Sequence, residues 1–467
     1  MIHCQFIFDK RVFLVYMKFR GSTRVLFYNS VILVYNNNSI ERNVIMTTNR
    51  IAILPGVWLN TVQTDRFKTG CFSVNLLRPL AYADAAPNAL IPSVLLRGCR
   101  DYPDMQAISQ RLDELYGASV GTLVRKKGEV QSVGLYLDFL EDRYAGGEPL
   151  FSEMMELLRQ LLFEPCLEAG GFVGEFVEGE TLNLSNTIAA RINEKRSYAI
   201  SRLMKNMCQG ETYAVPRLGE AETLKTVTPK NLLERWNHLL ASSRIELFYL
   251  GQQSEAEVER AVRQLLRDLK REPLASVETV LCRPARPVQK IQEAMDVTQG
   301  KLALGFRTDV TVRDPRYPAM MLLNAVYGAG ATSKLFLKIR EEQSLCYYAG
   351  SSMDKFKGVM VVDAGIECAD YQVALDGILE QLECCKRGEI TEEELESARN
   401  YLISALRTGQ DSPGRLDDFA IGQAIAGLDG SMMDLAERIS QVTRDQTVEA
   451  ARTLHLDTVY FLKGAEA

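Results

Sequence analysis

The stretch "YGAGATSKLFLKIREEQSLCYYAGSS", Tyr327 to Ser352, decides how this chain is read. It opens on Gly328 and Gly330, which allow positive φ and a close backbone approach. A helix is expected from Ser333, then a strand through the Leu-Cys-Tyr-Tyr run. The Gly-x-Gly pair reads as a turn, because no Lys-Ser/Thr follows at the spacing of a phosphate loop. "SSMDKFKGVMVVDAGIE" then supplies a turn and a second strand, and "YQVALDGILEQLECCKRG" a helix. Thr391 with Glu394 forms a capping box that starts one more helix.

The same order of elements stands earlier in the chain. In "ISQRLDELYGAS", Ile108, Leu112, Leu115 and Tyr116 fall at helical spacing and Gly117 can end the helix. "VGTLVRKKGEVQSVGLYLDFL" alternates as two strands around a Lys-Lys-Gly turn, and "LFSEMMELLRQLLFEP" is an amphipathic helix. The fold class is therefore α+β: two tandem units, each an antiparallel sheet with helices on one face. Between them "LKREPLASVETVLCRPARPVQKIQEAMDVTQG" loses periodicity and carries Pro273, Pro284 and Pro287, the marks of a linker. The expected domains are 46–268 and 301–467, joined by a linker at 269–300. Residues 1–45, rich in aromatics, Val and Asn, are read as a non-native or disordered extension. No apolar run there reaches the roughly 18 residues of a membrane span, and no clean cleavage pattern marks a signal peptide.

The chain has 467 residues with 46% hydrophobic and 24% charged, the balance of a globular protein. A net charge of −6 and the lack of basic runs argue against nucleic-acid binding. Ten cysteines include no C-x-x-C pair, so reduced thiols and a cytoplasmic location are expected. There are only three histidines, His3, His238 and His455.

The Tyr327–Ser352 stretch resembles the C-terminal signature of the insulinase/pitrilysin metallopeptidases: a Gly-rich turn, a Ser-x-Leu-Phe helix, an Arg-Glu step and a Leu-x-Tyr strand. The resemblance covers roughly Met46 to the end. It implies tandem α+β halves arranged as a clamshell, with Arg340 and Tyr347 on the positions that contact substrate and help stabilise the transition state. It also implies a zinc site in the first half, H-x-x-E-H, whose histidines ligate the metal and whose Glu acts on zinc-bound water. That motif precedes a short apolar run and a basic-Gly step, here Arg97-Gly98 in "PNALIPSVLLRGC". Counting back places it on Ala89, Leu90, Ile91, Pro92 and Ser93. Ala89 and Ser93 replace the two histidines and Pro92 replaces the base. Glu178 and Glu180 fall near the expected third ligand, and without histidines they read as a solvated helix face. His238 and His455 are isolated, and a lone His reads as surface or packing.

"ETLNLSNTIAARINEKRSYAISRLMKNM", with Asn193-Glu194-Lys195 and Tyr198-Ala199, is similar to a non-catalytic branch that accompanies a zinc-bearing paralogue in bacteria. That branch is described as associated with aminopentanol modification of elongation factor P. No motif for amine transfer, nucleotide or redox cofactor stands beside it. The resemblance thus implies a non-catalytic subunit of a heterodimeric zinc peptidase. This chain would bind no cofactor, and zinc would sit in an H-x-x-E-H partner. A peptide would be the substrate, held by strand addition to a sheet edge. The alternatives are a homodimeric peptide-binding or scaffold protein, and an enzyme with a displaced site.

Overall fold

The computed structural model describes residues 4–9, 12–19, 22–27, 48–281 and 287–464. His3, Cys282 and residues 28–47 lie outside them. The chain divides into two units, 1–45 and 46–467. The first holds three strands, Cys4–Asp9 (β1), Val12–Phe19 (β2) and Ser22–Phe27 (β3), paired antiparallel in chain order.

The second unit contains both repeats. Its first half supplies the strands Asn49–Leu54 (β4), Val57–Gln63 (β5), Thr69–Pro79 (β6), Ser119–Lys127 (β7) and Val130–Leu140 (β8). A small ribbon follows, Leu167–Glu168 (β9) with Gly171–Phe172 (β10), and then Arg244–Gly251 (β11). The second half supplies Gln289–Met295 (β12), Gly300–Arg307 (β13), Cys346–Asp354 (β14), Val359–Ile366 (β15) and His455–Gly464 (β16). The two sheets run β4-β5-β11-β6-β8-β7 and β12-β16-β13-β15-β14. With the extra edge strand β4 set aside, both read first-last-second-fourth-third. In each sheet the first and last strands pair parallel and the remaining neighbours antiparallel. The repeat is thus real at the level of topology, and each sheet has one parallel pair that the antiparallel expectation missed. The stretch expected to be linker ends early, because β12 alternates half-buried and exposed residues as the edge of the second sheet. Residues 269–281 are pinned rather than free: Glu272 N–H bonds Ala241 O at 3.0 Å and Ala275 N–H bonds Ser242 O at 3.1 Å.

Helices of its own half cover one face of each sheet, and one helix from each half crosses to the other half's sheet. In the first half they are Tyr82–Leu95 (α1), Met105–Glu114 (α2), Leu150–Phe163 (α3), Gly174–Ala189 (α4), Lys195–Met207 (α5), Pro229–Ser242 (α6) and Glu255–Leu265 (α7). In the second they are Tyr317–Tyr327 (α8), a π-helix at Leu335–Glu342, Tyr371–Arg387 (α9), Glu392–Gly409 (α10), Pro413–Ala426 (α11), Met432–Ser440 (α12) and Arg444–Arg452 (α13). The Thr391 box caps α10 as expected. Each half has its own core, sheet against helices.

The halves also exchange a helix. α11 lays Leu416, Ala420, Ile421 and Ile425 on the outer face of the first sheet, against Val62, Leu77, Phe248 and Leu250. Reciprocally, α5 lays Ala199, Leu203 and Met207 on the second sheet, against Ala303, Val359, Val361 and Tyr460. Burying one large apolar side chain is worth about 1.5–3 kcal/mol. Exposing even five of these residues would cost on the order of 10 kcal/mol, as much as a whole domain's stability. The clamshell within this chain is therefore shut.

Glu141, just after β8, is 1% exposed and accepts the Gln252 N–H at 3.0 Å. Burial pushes its carboxyl up to about 7. A folded-state value above the unfolded one favours folding below the unfolded pKa and is lost as pH rises through the folded value. The charged form therefore destabilises the fold above about pH 7. Glu141→Gln is expected to stabilise the chain by about 1–3 kcal/mol at pH 8 and by much less at pH 4.5. Urea unfolding at the two pH values checks this, and equal effects at both would refute it.

Candidate functional site

The helix expected at "PNALIPSVLLRGC" is α1. It is mostly apolar, with Ala85, Ala86, Ala89, Leu90, Ile91, Val94 and Leu95 buried, and its polar residues Asp84 and Asn88 stand one turn apart. Pro87 and Pro92 both stand inside it. A proline there removes a helix hydrogen bond and clashes with the turn before it. The helix ends at Leu95 and the chain turns through Arg97-Gly98, where a Cβ on Gly98 would sit 2.4 Å from the Pro103 carbonyl oxygen. The sharp corner therefore requires glycine.

Ala89 is 4% exposed, Pro92 is buried and Ser93 half-buried. Of the three positions only Ser93 carries a polar side chain, one hydroxyl. Glu178 is exposed on α4, but Glu180 is not a solvated face residue. It accepts from Arg97 Nη1 at 3.1 Å, and the Arg97 guanidinium also lies over the Phe176 ring at 5.3 Å. An ion pair thus ties α4 to the end of α1, and the carboxylate nearest the expected third-ligand position is already engaged. Nothing in single residues signalled this pairing, although both members lay in stretches of interest. Among the described residues no group of His, Cys, Asp and Glu could hold a metal ion. The donor set does not fit zinc: one hydroxyl and one committed carboxylate cannot replace two imidazoles and a free carboxylate.

His455 is exposed at the start of β16. His238, on α6, has company that the sequence did not reveal. Its Nε2 is 3.2 Å from Ser242 Oγ and its Nδ1 3.7 Å from Glu272 Oε2, an array that looks like a hydroxyl–imidazole–carboxylate relay. Ser242, however, is 3% exposed, donates to the His238 backbone carbonyl at 2.7 Å and accepts from Arg78 Nη1 at 2.9 Å. A buried hydroxyl committed in this way is not an activated nucleophile. Cys71, Cys99, Cys166, Cys208, Cys346, Cys368, Cys384 and Cys385 are free thiols, and burial pushes Cys71, Cys208 and Cys385 up to about 12. Those three are inert thiols in the core.

Arg340 and Tyr347 stand at the surface. The helix expected from Ser333 forms as a π-helix, in which Gln343 N–H reaches back five residues to Lys338 O at 3.2 Å. Arg340 lies in its last turn, 39% exposed, with Nη1 3.3 Å from Glu341 Oε1 and its guanidinium over Phe336 at 4.6 Å. Ser344 follows with φ +54°, a left-handed conformation costly for a residue with a side chain. Tyr347 opens β14, 64% exposed, and donates to Glu367 Oε1 at 3.0 Å. That hydrogen bond raises its pKa and keeps the phenol protonated. Tyr347 is thus not a core residue, and Glu367 is a neighbour that sequence reasoning missed.

Gly328 and Gly330 form the expected turn without using positive φ. Gly328 is required for close approach: its carbonyl accepts the Ser351 N–H at 3.0 Å, and a Cβ there would meet Ser351 N and Leu335 Cδ1 at 2.8 Å. Around Gly330 the nearest atom to a Cβ is Tyr401 Cδ1 at 3.9 Å. Gly328→Ala is therefore expected to lower stability by about 1–3 kcal/mol, and Gly330→Ala to change it by less than about 0.5 kcal/mol. Urea midpoints measure both, and equal effects would refute the assignment.

The turn also borders a cleft that joins two separately noted features. Glu194, Arg196 and Ser197 of the "NEKRSY" run line it together with Gly328, Ser351 and Asp363. Arg196 binds the buried Asp363 and lies over Tyr348 at 4.4 Å. Tyr198 and Arg202 both reach Glu293, at 2.7 and 2.9 Å. These residues clamp the exchanged helix α5 to the second sheet, so the run is structural here.

Comparison with known proteins agrees with this geometry. The profile of the family described as Peptidase M16 inactive domain matches residues 226–402. The chain is 31% identical over 412 residues to a Bacillus subtilis protein named "Probable inactive metalloprotease YmfF", covering 88% of this chain and 96% of that one. It is similar to the crystal structure of a conserved protein from Enterococcus faecalis, with a TM-score of 0.82 and 28% identity over 90% of this chain and 99% of that one. A peptidase M16 inactive domain from Pseudomonas fluorescens shares the fold at a TM-score of 0.73 and 17% identity, over 89% of this chain and 98% of that one.

Proposed function

The chain belongs to the peptidase M16 (insulinase/pitrilysin) family as an inactive homologue that is not a peptidase on its own, and from that premise we propose that it is the non-catalytic subunit of a two-chain zinc peptidase. In this reading the chain binds peptide and presents Arg340 and Tyr347 to a zinc held by an H-x-x-E-H partner. The observation that carries it is a contrast in one molecule. The helix that would hold metal has no donor set, whereas Arg340 and Tyr347, the donors of the second half, are surface-exposed. Guanidinium and phenol groups aimed at developing carbonyl charge contribute only where a nucleophile is supplied, and in this family resemblance that is a zinc-bound water. The strained Ser344 between them supports the same reading, since such strain persists where a fold holds a site in place.

Peptide would add to a sheet edge. β14 is capped at Ser351 by Gly328, and the Val124 carbonyl on β7 by Arg217 Nη1 at 2.8 Å. The first part of β7 also stands at the edge of the first sheet, and its face is open at Gly121, where among the described residues nothing lies within 4 Å of an added Cβ. Residues 119–123 are the edge assigned to peptide.

A second reading has its own support. Glu341 and Glu367 already partner Arg340 and Tyr347 within the chain, as in a scaffold with no part in catalysis. Capture of the tagged full chain from its native lysate, with zinc measured in each species, separates the two. A stoichiometric H-x-x-E-H chain, with zinc in the pair and none in this chain alone, is the expected result. A metal-free homodimer without that partner would overturn the proposal in favour of the scaffold. Among the described residues no helix is long and apolar enough to cross a membrane.

A further inference from the structure

A cleft of about 510 Å³ lies between the end of β6, the first turns of α1 and the helix α6. Its size falls within the range of small-ligand sites. Arg78, the penultimate residue of β6, forms one wall. It donates through Nη1 to Ser242 Oγ at 2.9 Å and through Nη2 to His238 Nε2 at 3.3 Å. Neither partner is a carboxylate. No ion pair among the described residues includes Arg78. The nearby Asp84 is engaged by Arg235 Nη1 at 2.7 Å, and the same Nη1 reaches Asn88 Oδ1 at 3.2 Å. Asn88 is 2% exposed and is fixed from its other side by Gln131 at 3.2 Å. Burial lowers the pKa of Arg78, the mark of a cation short of counter-charge. The cleft therefore holds one guanidinium without a carboxylate beside a second whose charge is balanced.

We propose that this cleft binds a small carboxylate, a free amino acid or the C-terminal end of a peptide, through Arg78 with Arg235 beside it. Guanidinium matches carboxylate in a planar, bidentate geometry. The ligand carries a single negative charge at this point, because Asp84 and the exposed Glu234 also line the cleft and repel a second one. That separates a carboxylate from a phosphate dianion. The site shares no residue with the Arg340/Tyr347 face, and it stands or falls independently of the proposed subunit role.

Titration calorimetry of the full chain tests it with four probes: trialanine, trialanine C-terminal amide, alanine and inorganic phosphate. Saturable binding of trialanine or alanine, with none of the amide, is expected. Alanine alone assigns a free amino acid, and binding that requires trialanine assigns a peptide end. Arg78→Met should weaken the carboxylate roughly tenfold or more, the loss of one charge-assisted pair. Arg78 also holds Ser242, so Glu234→Gln, at an exposed position, provides a second variant expected to tighten binding several-fold. Equal binding of acid and amide, no saturable heat from either carboxylate, tighter binding of phosphate, or a Glu234→Gln variant no tighter than the parent would each overturn the proposal.

Discussion

Lys357→Met is expected to lower the unfolding free energy by about 3–5 kcal/mol at pH 8, the largest stability effect of any single substitution considered. The Lys357 side chain is fully buried in the turn between β14 and β15. Its Nζ reaches Glu129 Oε1 and the Val280 carbonyl at 2.6 Å and Glu211 Oε2 at 2.8 Å. Glu129 and Glu211 belong to the first half, Lys357 to the second, and Val280 to the segment between them, so one ammonium joins all three. Burial works against its charge, but the hydrogen bonds it donates to Glu129 and Glu211, with their charges, outweigh burial and raise its pKa. Methionine keeps the volume and leaves two carboxylates facing each other in the interior. Glu211 retains Arg307 at 2.6 Å, so Glu129 is the group left most exposed to the loss. The deficit should shrink toward pH 5, as the orphaned carboxylate gains a proton. Adding Glu129→Leu should recover part of it, because removing both members of a buried pair is far milder than removing one. Urea unfolding of the single and double variants at pH 8 and 5 measures all of this. A single variant as stable as the parent at pH 8 would show that the halves do not depend on this contact.

The same interface marks where sequence reading stops. Local order was legible: the hairpin at Lys126-Lys127-Gly128, the Thr391 cap and the repeated helix–strand succession all rest on neighbours in sequence. The parallel pairing of β5 with β11 was not, since more than 180 residues separate them and periodicity carries no partner identity. Nor was the helix exchange. The sequence of α5 shows an apolar face and α11 an apolar character, but neither says which sheet they cover. That Ala89, Pro92 and Ser93 carry no imidazole or carboxylate was legible, because it is a matter of residue type at fixed spacing. The Arg97–Glu180 pair, the Glu367 partner of Tyr347 and the company of His238 were not, because each depends on side chains brought together from distant elements. The helix after Ser333 was legible as a helix. Its π character was not, because a shift to five-residue spacing leaves no mark in composition.

In a pair reconstituted with an H-x-x-E-H partner, Arg340→Ala is expected to lower kcat by on the order of 10²–10³, the effect of removing one donor to a developing oxyanion. The side chain has no commitment to the core. Glu341 is its one ion-pair partner among the described residues, and at this exposure such a pair adds little to stability. The variant should therefore fold and associate as the parent does, and the loss should fall on turnover rather than on assembly. Tyr347→Phe should cost less, about tenfold. Its hydroxyl donates to Glu367 and must leave that carboxylate before it serves a substrate oxygen. Glu367→Gln sharpens the point. It weakens the acceptor while keeping the shape, so the phenol is released more easily, and kcat should hold or rise slightly. A scaffold makes the opposite forecast: Arg340 and Tyr347 then only bind Glu341 and Glu367, and turnover by the partner is indifferent to all three substitutions. Unchanged kcat in a pair that still assembles would identify the exposed Arg and Tyr as remnants of ancestry. A fall in kcat with unchanged association would place them at the partner's metal.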